Sequence, residues 1–254
     1  MIRIAIIGTG NVAQQLFTAF HSCEGLEIAL VYGRSLERLA FFSEFTRVTT
    51  EIDAIHTVDV VLICVSDDAI AEVVNKLPQQ IGIVAHTSGS IPLDILKKFP
   101  SHGVFYPLQT FTKGKTIDFK SIPLCIEANS NKAEQALFSL ASYISTSVQF
   151  ISTLQRKELH VSAVLVNNFT NHLCHIAQQR LAAKDIDFKL LLPLLNETVA
   201  KLTTLSAYKA QTGPAKRNDV QTMNAHLEQI KESRIQDIYT LLSNSIQETY
   251  GTEL

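Results

Sequence analysis

Two glycines and an alanine near the start of the chain stand at a spacing that suits close contact with a ligand. Gly8, Gly10 and Ala13 form the pattern GxGxxG, with alanine in the last place. Gly8 permits a tight turn, Gly10 lets a pyrophosphate approach the backbone, and Ala13 permits close packing of a helix on a strand. The phosphate would lie at the N-terminus of that helix. The motif predicts that a dinucleotide is bound by Gly8, Thr9, Gly10, Asn11 and Val12.

A pair of arginines follows the next apolar segment. Residues 27–32 predict a strand that ends where NAD enzymes carry an acidic residue on the ribose hydroxyls. This chain has Gly33, Arg34 and Ser35 there, with Arg38 one helical turn further on. A guanidinium binds phosphate through two hydrogen bonds, so Arg34, Ser35 and Arg38 predict a site for the 2′-phosphate of NADP. The alternative is a solvated arginine beside a helix N-cap at Ser35.

Polar residues interrupt a predicted apolar helix over residues 159–181. His160 and Asn167 share one face by helical spacing, and Asn168 and His172 form a neighbouring stripe. Polar side chains that are buried without partners raise the free energy, so this face predicts a cleft for a polar substrate. Hydride transfer needs an acid near the nicotinamide, and His160 is the leading candidate, with Asn167 and Asn168 beside it. The alternative is a structural histidine held by hydrogen bonds.

Alternating strands and helices must position these groups. Short apolar runs predict strands at residues 2–7, 27–32, 58–65, 81–85, 104–106, 123–127 and 148–151. Helical spacing predicts helices between them at residues 11–20, 70–77, 92–98 and 132–145. This alternation favours an α/β fold with a doubly wound parallel sheet of the Rossmann type, whose ligands bind beyond the carboxyl ends of the strands.

The loops at those carboxyl ends are expected to share one edge of the sheet. Contacts to the ribose or the nicotinamide are predicted for Val65, Ser66, Thr87 and Ser88. Helix capping is the alternative role of the hydroxyl groups. His86 ends a predicted strand at the same edge, where its imidazole could contact the substrate or cap the following turn.

No strand pattern occurs after residue 154. Helices predicted at residues 159–181, 188–205, 217–230 and 235–246 form an all-α C-terminal domain. We therefore expect an NADP-binding Rossmann domain over residues 1–151. A helical domain for substrate binding and dimerisation is expected over residues 152–254.

The composition excludes several classes of protein. A formal net charge of -2, from 22 basic and 24 acidic residues, predicts no binding to nucleic acid or to an anionic membrane. The four cysteines form no CxxC pair, so neither a zinc site nor a disulfide framework is indicated. No apolar run approaches the length of a membrane span or follows a basic signal region. The expectation is a cytoplasmic protein without a metal.

Several segments resemble a known family. They are GTGNVA, HTSGSIPLDIL, GVFYPLQTF, ELHVSAVLVNNFTNHL and QTGPAKRNDVQTMNAHL. Together they resemble the Rossmann-like NADP oxidoreductases that carry a C-terminal domain of unknown function 2520, and the resemblance covers nearly the whole chain. The surrounding superfamily is named after 6-phosphogluconate dehydrogenase and includes pyrroline-5-carboxylate reductase, ketopantoate reductase and prephenate dehydrogenase. The resemblance implies an oxidoreductase whose helical second domain forms a homodimer.

The resemblance also implies roles for residues near the cofactor. The segment YPLQT stands where prephenate dehydrogenase has its His-Pro substrate motif, so Tyr106 would bind a substrate oxygen. The alternative for Tyr106 is a core aromatic. Ketopantoate reductase carries a catalytic lysine on the first helix of its second domain, whereas this chain has only Lys157, near the start of the corresponding helix.

Residues of the C-terminal domain are implied to hold the substrate. In pyrroline-5-carboxylate reductase the second domain holds the substrate carboxylate. The resemblance therefore implies that an anionic group of the substrate is bound by Thr212, Lys216 and Arg217. His172 would contact the same small molecule. The alternative is a solvated surface pair of Arg217 and Asp219.

The expected function is hydride transfer between NADP and a small, anionic carbonyl or imine compound, with NADPH preferred over NADH. The alternative is a dinucleotide-binding protein without turnover, such as a redox sensor, which needs no acid in the cleft. A related family is labelled by its use of the deazaflavin F420 as hydride donor. Nothing in the residues requires that cofactor.

Overall fold

A computed structural model describes residues 1–115 and 117–251 of the chain. The chain divides into two compact units, Met1–Val166 and Asn167–Leu254. The domain limit expected between residues 151 and 152 falls at the start of a helix in the first unit. The limits of the functional domains remain a prediction.

Eight strands and five α-helices form the described part of the first unit. The strands are β1 (Ile2–Ile7), β2 (Leu26–Tyr32), β3 (Val48–Thr49), β4 (Val60–Ile63), β5 (Ile83–His86), β6 (His102–Pro107), β7 (Leu124–Ala128) and β8 (Val148–Phe150). The α-helices are α1 (Asn11–His21), α2 (Leu36–Ser43), α3 (Asp67–Lys76), α4 (Asn131–Ser142) and α5 (Thr153–Ala163).

The strands form one sheet in the order β3-β2-β1-β4-β5-β6-β7-β8. Successive strands are added to one side of β1 as far as β3 and to its other side from β4 onward, although β1 and β4 are parallel. Open α/β sheets bind ligands at the carboxyl ends of the strands at such a switch point. The predicted Rossmann sheet is confirmed, but it is not parallel throughout, because β6 and β7 pair antiparallel. The described link between these two strands contains no α-helix, the element that usually carries a parallel crossover.

The apolar residues of β1 explain its central position. Ile4 and Ile6 pack in one core cluster and Ala5 and Ile7 in another, each with 0% exposure. Successive side chains of a strand point to opposite faces, so a strand covered on both faces needs a continuous apolar run. Ala13 of α1 is also fully buried, as the small residue of the motif requires.

Several short elements of the first unit differ from their prediction, and three of them show why. The strand predicted from residue 81 begins at Ile83, because Ile81 is exposed at the surface. The helix predicted over residues 92–98 is a short 3-10 turn, Leu93–Leu96. The strand β3 has only two residues and was not predicted. Each of these segments is too short for hydrophobic periodicity to define its limits.

The second unit is helical in its described residues. Its α-helices are α6 (Thr170–Ala182), α7 (Leu192–Leu202), α8 (Ala207–Ala210), α9 (Val220–Gln229) and α10 (Ser233–Tyr250). The predicted all-α region is therefore confirmed. None of the helices in the described ranges combines the length and apolar composition that a membrane span requires.

A π-helical segment, Val164–Phe169, lies between α5 and α6. Its backbone hydrogen bonds join residues five apart, and such segments often occur at functional sites. The helix predicted over residues 159–181 is confirmed as helical, but it begins earlier, at Thr153, and contains this π-helical segment. The α-helical spacing that placed His160 and Asn167 on one face does not hold through this segment.

Candidate functional site

The turn after β1 needs glycine at position 8. Gly8 has a φ of +124°, and its N–H donates to the carbonyl oxygen of Tyr32 at 2.9 Å. A Cβ atom on Gly8 would lie 2.2 Å from the carbonyl oxygen of Cys64. Both the backbone angle and the lack of space therefore exclude a side chain.

Gly10 leaves the N-terminus of α1 open. It is the N-cap residue of α1, and no described side chain caps the helix or places a carboxylate in its first turn. A Cβ atom on Gly10 would meet no non-neighbouring heavy atom of the described chain within 4 Å. The first N–H groups of α1 thus border open space, and this cradle fits a pyrophosphate.

The end of β2 packs against the glycine-rich turn. A Cβ atom on Gly33 would lie 2.6 Å from Cγ2 of Thr9. Arg34 and Arg38 are exposed beside this contact. Ser35 is the N-cap of α2, but its side chain makes no capping hydrogen bond within the described residues. The two arginines are therefore accessible to an anion at this edge of the sheet.

The hydroxyl groups after β4 and β5 have different surroundings. Ser66 is the exposed N-cap of α3, with no side-chain capping bond in the described part of the chain. The Ser88 hydroxyl accepts the N–H groups of Ser90 and Ile91 at 3.1 and 3.0 Å. The Thr87 hydroxyl donates to a backbone carbonyl of β4 at 3.3 Å. Thr87 and Ser88 therefore stabilise their own turn, and their contacts to a cofactor remain predictions.

His86 is fully buried at the end of β5. Its Nδ1 accepts the N–H of Ser88 at 3.2 Å. Burial, followed by the charge of Arg156, lowers the pKa of His86 from 6.5 to about 4. His86 therefore shapes the following turn as a neutral ring, and its contact with the substrate remains a prediction.

His86 is expected to make the protein less stable in acid. Above pH 6.5 the ring is neutral in both the folded and the unfolded chain, so it adds no pH dependence. Below that pH His86 becomes protonated in the unfolded chain, whereas in the folded chain it stays neutral down to about pH 4. Each pKa unit is worth about 1.4 kcal/mol, so the free energy of unfolding falls by about 3 kcal/mol over this range.

Urea unfolding of the wild type and of His86→Gln at several pH values between 7 and 4 measures this loss. The wild type should lose stability more steeply than His86→Gln as the pH falls. His56→Gln is the matched control, because His56 is exposed in the same unit. Equal slopes for the wild type and His86→Gln would contradict the prediction.

Tyr106 and His160 are in direct contact within the first unit. Oη of Tyr106 lies 3.1 Å from Nδ1 of His160, and Tyr106 is only 8% exposed. Burial raises the pKa of Tyr106 to about 12, so its proton stays in place at neutral pH. Tyr106 can then donate to Nδ1, which leaves a neutral His160 with its proton on Nε2. His160, the candidate acid, and Tyr106, which was expected to bind a substrate oxygen, are therefore hydrogen-bonded partners.

The backbone of Gly89 passes directly against this pair. A Cβ atom on Gly89 would lie 2.5 Å from Nδ1 of His160 and 2.8 Å from Cζ of Tyr106. Only a residue without a side chain leaves room for the hydrogen bond between the two rings. Sequence analysis missed this role, because both rings that approach Gly89 are distant from it along the chain.

Sequence analysis also missed a buried ion pair beside His160. Arg156 has 0% exposure, and its Nη2 lies 3.0 Å from Oε2 of Glu127 on β7. The available signal was the four-residue spacing of Arg156 and His160, which places both on one side of α5.

The candidate residues of the second unit lie mostly at its surface. Asn167, Asn168 and His172 are exposed, and the ring centroid of His172 lies 6.4 Å from that of His175. None of these observations tests a contact with a substrate. Their catalytic and binding roles remain predictions.

The segment near Gly213 places its cations differently. Lys216 donates to a backbone carbonyl at 2.9 Å, and its Nζ lies 5.1 Å from the ring centroid of Tyr250. Thr212 and Arg217 are exposed. Hydrogen bonds from Thr222 lower the pKa of Asp219, with a smaller contribution from Arg217. Of the two cations, Arg217 is therefore the more accessible to an anion.

Two family models match the chain. The first is described as NADP oxidoreductase, coenzyme F420-dependent, and matches residues 3–86. The second is described as domain of unknown function 2520 and matches residues 122–246. No curated protein is similar enough to match the chain.

Solved structures are similar over almost the full length of the chain. A candidate NADP oxidoreductase from Bacteroides fragilis is 36% identical, with a TM-score of 0.89 over 97% of this chain and 98% of its own. Pyrroline-5-carboxylate reductase from Streptococcus pyogenes is 17% identical, with a TM-score of 0.64 over 99% and 97%. A reductive aminase from Aspergillus terreus, in complex with NADPH and ethyl levulinate, is 15% identical, with a TM-score of 0.71 over 99% and 95%. The reductase from Streptococcus pyogenes and the reductive aminase share the fold of this chain.

The N-terminal match covers the glycine-rich turn, and the C-terminal match covers α5 and most of the helical unit. The identity and full-length coverage of the Bacteroides fragilis protein extend the likeness across both units. The chain therefore belongs to the family of Rossmann-like NADP oxidoreductases that carry a C-terminal domain of unknown function 2520.

Proposed function

We propose that the protein transfers a hydride between NADP and a small carbonyl or imine compound that carries an anionic group. The observation that carries this proposal is the hydrogen bond of 3.1 Å between Oη of Tyr106 and Nδ1 of His160. It belongs to the same unit as a glycine-rich turn with an open helix N-terminus. A redox sensor without turnover would need the turn but not the oriented imidazole.

Residues of the first unit would hold the cofactor. The turn at residues 8–13 would bind the pyrophosphate through backbone N–H groups, and Arg34 and Arg38 would bind the 2′-phosphate. The side chain of Asn11 donates to the carbonyl oxygen of Phe111 at 2.9 Å, so its backbone remains for the phosphate. When bound, the nicotinamide exchanges a hydride with the substrate carbon.

His160 and Tyr106 would supply the proton that accompanies the hydride. In the reducing direction, Nε2 of His160 gives its proton to the substrate oxygen or nitrogen. In the same step Nδ1 takes the proton of Tyr106, so that the imidazole stays neutral and Tyr106 becomes a phenolate. Tyr106 regains a proton from solvent after product release. In the oxidising direction the same transfers run in reverse.

The second unit would supply the groups that hold the rest of the substrate. Arg217 and Thr212 are proposed to bind the anionic group, because both are exposed. Asn167, Asn168 and His172 are proposed to bind polar atoms of the same molecule. The reductive aminase of similar fold binds NADPH and ethyl levulinate, which supports a carbonyl or imine as the reacting group.

Arg34 is expected to decide between NADPH and NADH. Calorimetric titration should show that NADPH binds at least about tenfold tighter, a difference of ~1.4 kcal/mol. In Arg34→Ala that preference should disappear, because the 2′-phosphate loses its bidentate partner. Arg3→Ala is the matched control, since Arg3 is an exposed arginine near the start of β1. A preference that survives in Arg34→Ala would contradict the assignment.

Turnover is tested by the oxidation of NADPH in the presence of glyoxylate, pyruvate, 1-pyrroline or 1-pyrroline-2-carboxylate. The proposal expects at least one of these to be reduced, and the acids to react better than 1-pyrroline. Binding of NADPH without reaction on any carbonyl or imine would favour the redox sensor. Absence of binding by either nucleotide would contradict both functions.

The second unit is also proposed to pair with a second copy of the chain. Large apolar side chains are exposed on its helices, among them Phe169, Leu190, Leu194, Val199 and Leu241. Many exposed large apolar side chains on one helical unit favour a protein interface. Sedimentation equilibrium should give a dimer for the wild type and a monomer for the double variant Leu194→Asp, Val199→Asp.

Leu36→Asp is the control for this experiment, because Leu36 is an exposed leucine of the first unit. It should leave the mass of a dimer unchanged. A monomeric wild type at micromolar concentration would contradict the proposed pairing.

A further inference from the structure

Arg156 connects the start of α5 to the sheet. Its side chain is fully buried, and charged side chains are rarely buried completely unless they are paired. Nη2 donates to Oε2 of Glu127 at 3.0 Å. The other carboxylate oxygen, Oε1, accepts the backbone N–H and the hydroxyl of Thr153 at 2.8 and 2.6 Å. The carboxylate thus joins the end of β7 to the first turn of α5.

The second nitrogen of the same guanidinium holds the loop after β5. Nη1 donates to the carbonyl oxygens of Ser88, Gly89 and Ile91 at 3.0, 3.1 and 2.8 Å. A planar guanidinium fixes the directions of its donors, so it sets the position of this loop relative to α5. Three segments of the chain therefore share one rigid group.

Gly89 links the position of this loop to that of the Tyr106 and His160 rings. Its carbonyl oxygen is held by Arg156, and its Cα lies so close to both rings that a Cβ atom would clash with His160 and Tyr106. His160 follows Arg156 by one helical turn on α5. The loop and the helix that bracket the Tyr106–His160 hydrogen bond are thus both attached to Arg156.

We propose that Arg156 is a positioning residue for the Tyr106–His160 pair. By holding Glu127 and the carbonyl oxygen of Gly89 together, it keeps Oη of Tyr106 on Nδ1 of His160 and so keeps the His160 proton on Nε2. The inference rests on the proposed function of this pair and concerns only its alignment.

Stability alone explains this arrangement poorly. A buried ion pair adds little net stability compared with apolar residues of similar volume, because both charges lose their hydration. Nε of Arg156 is also buried and has no hydrogen-bond partner among the described residues. The Arg156 guanidinium fixes the positions of the loop after β5, of β7 and of α5 relative to one another. An apolar side chain would not reproduce this geometry.

The test is the tautomer of His160, read by long-range proton–nitrogen NMR on protein labelled with ¹⁵N-histidine. The signals are assigned by their loss in His160→Asn. In the wild type, Nδ1 should be unprotonated and Nε2 protonated. In Arg156→Met the two nitrogens should show averaged shifts from mixed tautomers. Arg156→Lys should give an intermediate spectrum, because one ammonium cannot reproduce the fork.

Arg156→Met leaves the Glu127 carboxylate buried and unpaired, so the double variant Glu127→Gln, Arg156→Met is measured beside it. Arg180→Met is the matched control, since Arg180 forms a partly exposed ion pair with Glu232 in the second unit. The control should keep the wild-type spectrum of His160.

A wild-type tautomer in a folded Arg156→Met or in the double variant would overturn the proposal. Failure of Arg156→Met, Arg156→Lys and the double variant to fold would also overturn it, because Arg156 would then be required by the fold itself. The spectra are recorded without nucleotide or substrate. A failed positioning role is therefore distinguishable from a failed oxidoreductase function, which is judged by NADPH binding and turnover.

Discussion

Replacement of His160 by asparagine is expected to lower kcat by about 10²- to 10⁴-fold, the usual contribution of a positioned general acid. Asparagine keeps a polar side chain near Tyr106 but has no proton to transfer at neutral pH. The rate is measured as NADPH oxidation at saturating substrate. NADPH titration should give an unchanged Kd, because the glycine-rich turn and Arg34 are untouched.

Tyr106→Phe is expected to lower kcat as well, since it removes the proton that Nδ1 receives. Groups that act as a unit lose activity non-additively, so the double variant should be no slower than the slower single variant. His56→Asn is the control, because His56 is an exposed histidine of the same unit. Independent, fully additive losses would contradict the relay, and an unchanged kcat in His160→Asn would contradict the role of His160.

Replacement of Gly8 by alanine is the second change with a large expected effect. The new Cβ atom would lie 2.2 Å from the Cys64 carbonyl oxygen, at a φ of +124° that side chains rarely adopt. Backbone strain and overpacking each contribute about 1–3 kcal/mol, so the free energy of unfolding should fall by roughly 2–6 kcal/mol. Urea unfolding measures the loss, and NADPH binding should be lost with the turn.

Gly10→Ala separates binding from stability at the same motif. Gly10 has an extended backbone and open space where its Cβ atom would lie. Its free energy of unfolding should stay within about 1 kcal/mol of the wild type. NADPH should nevertheless bind at least about tenfold more weakly, by ~1.4 kcal/mol, because the methyl group fills the place of the pyrophosphate. Unchanged affinity in Gly10→Ala would contradict a phosphate site at this turn.

Long or strongly patterned elements could be predicted from the sequence. The apolar run of β1 predicts a strand covered on both faces, because side chains alternate along a strand. The polar link before β7 has no such signature, and the direction of β7 follows from how that link folds back. The predicted helix over residues 159–181 has apolar periodicity on both sides of Val164–Phe169. The sequence pattern therefore does not indicate that this segment is π-helical.

The glycine-rich turn could be predicted from the sequence, whereas the contact between Tyr106 and His160 could not. Gly8 and Gly10 are neighbours in sequence, and the demands on each arise from one turn. Tyr106 and His160 were singled out one at a time, but they are 54 residues apart and their contact depends on the fold. Arg156 carried no local signal of burial, because a charged residue in a first helical turn is usually solvated.

The sequence by itself therefore determined the Rossmann class, the helical C-terminal region and the glycine-rich turn, since each follows from periodicity or from contacts within a few residues. Only the tertiary structure decided that Oη of Tyr106 lies within hydrogen-bond distance of Nδ1 of His160, that Gly89 lies against both rings and that Arg156 joins the Gly89 loop to Glu127. These contacts link β5, β6, β7 and α5. Their geometry is set by strand order and helix packing, which no spacing along the chain records.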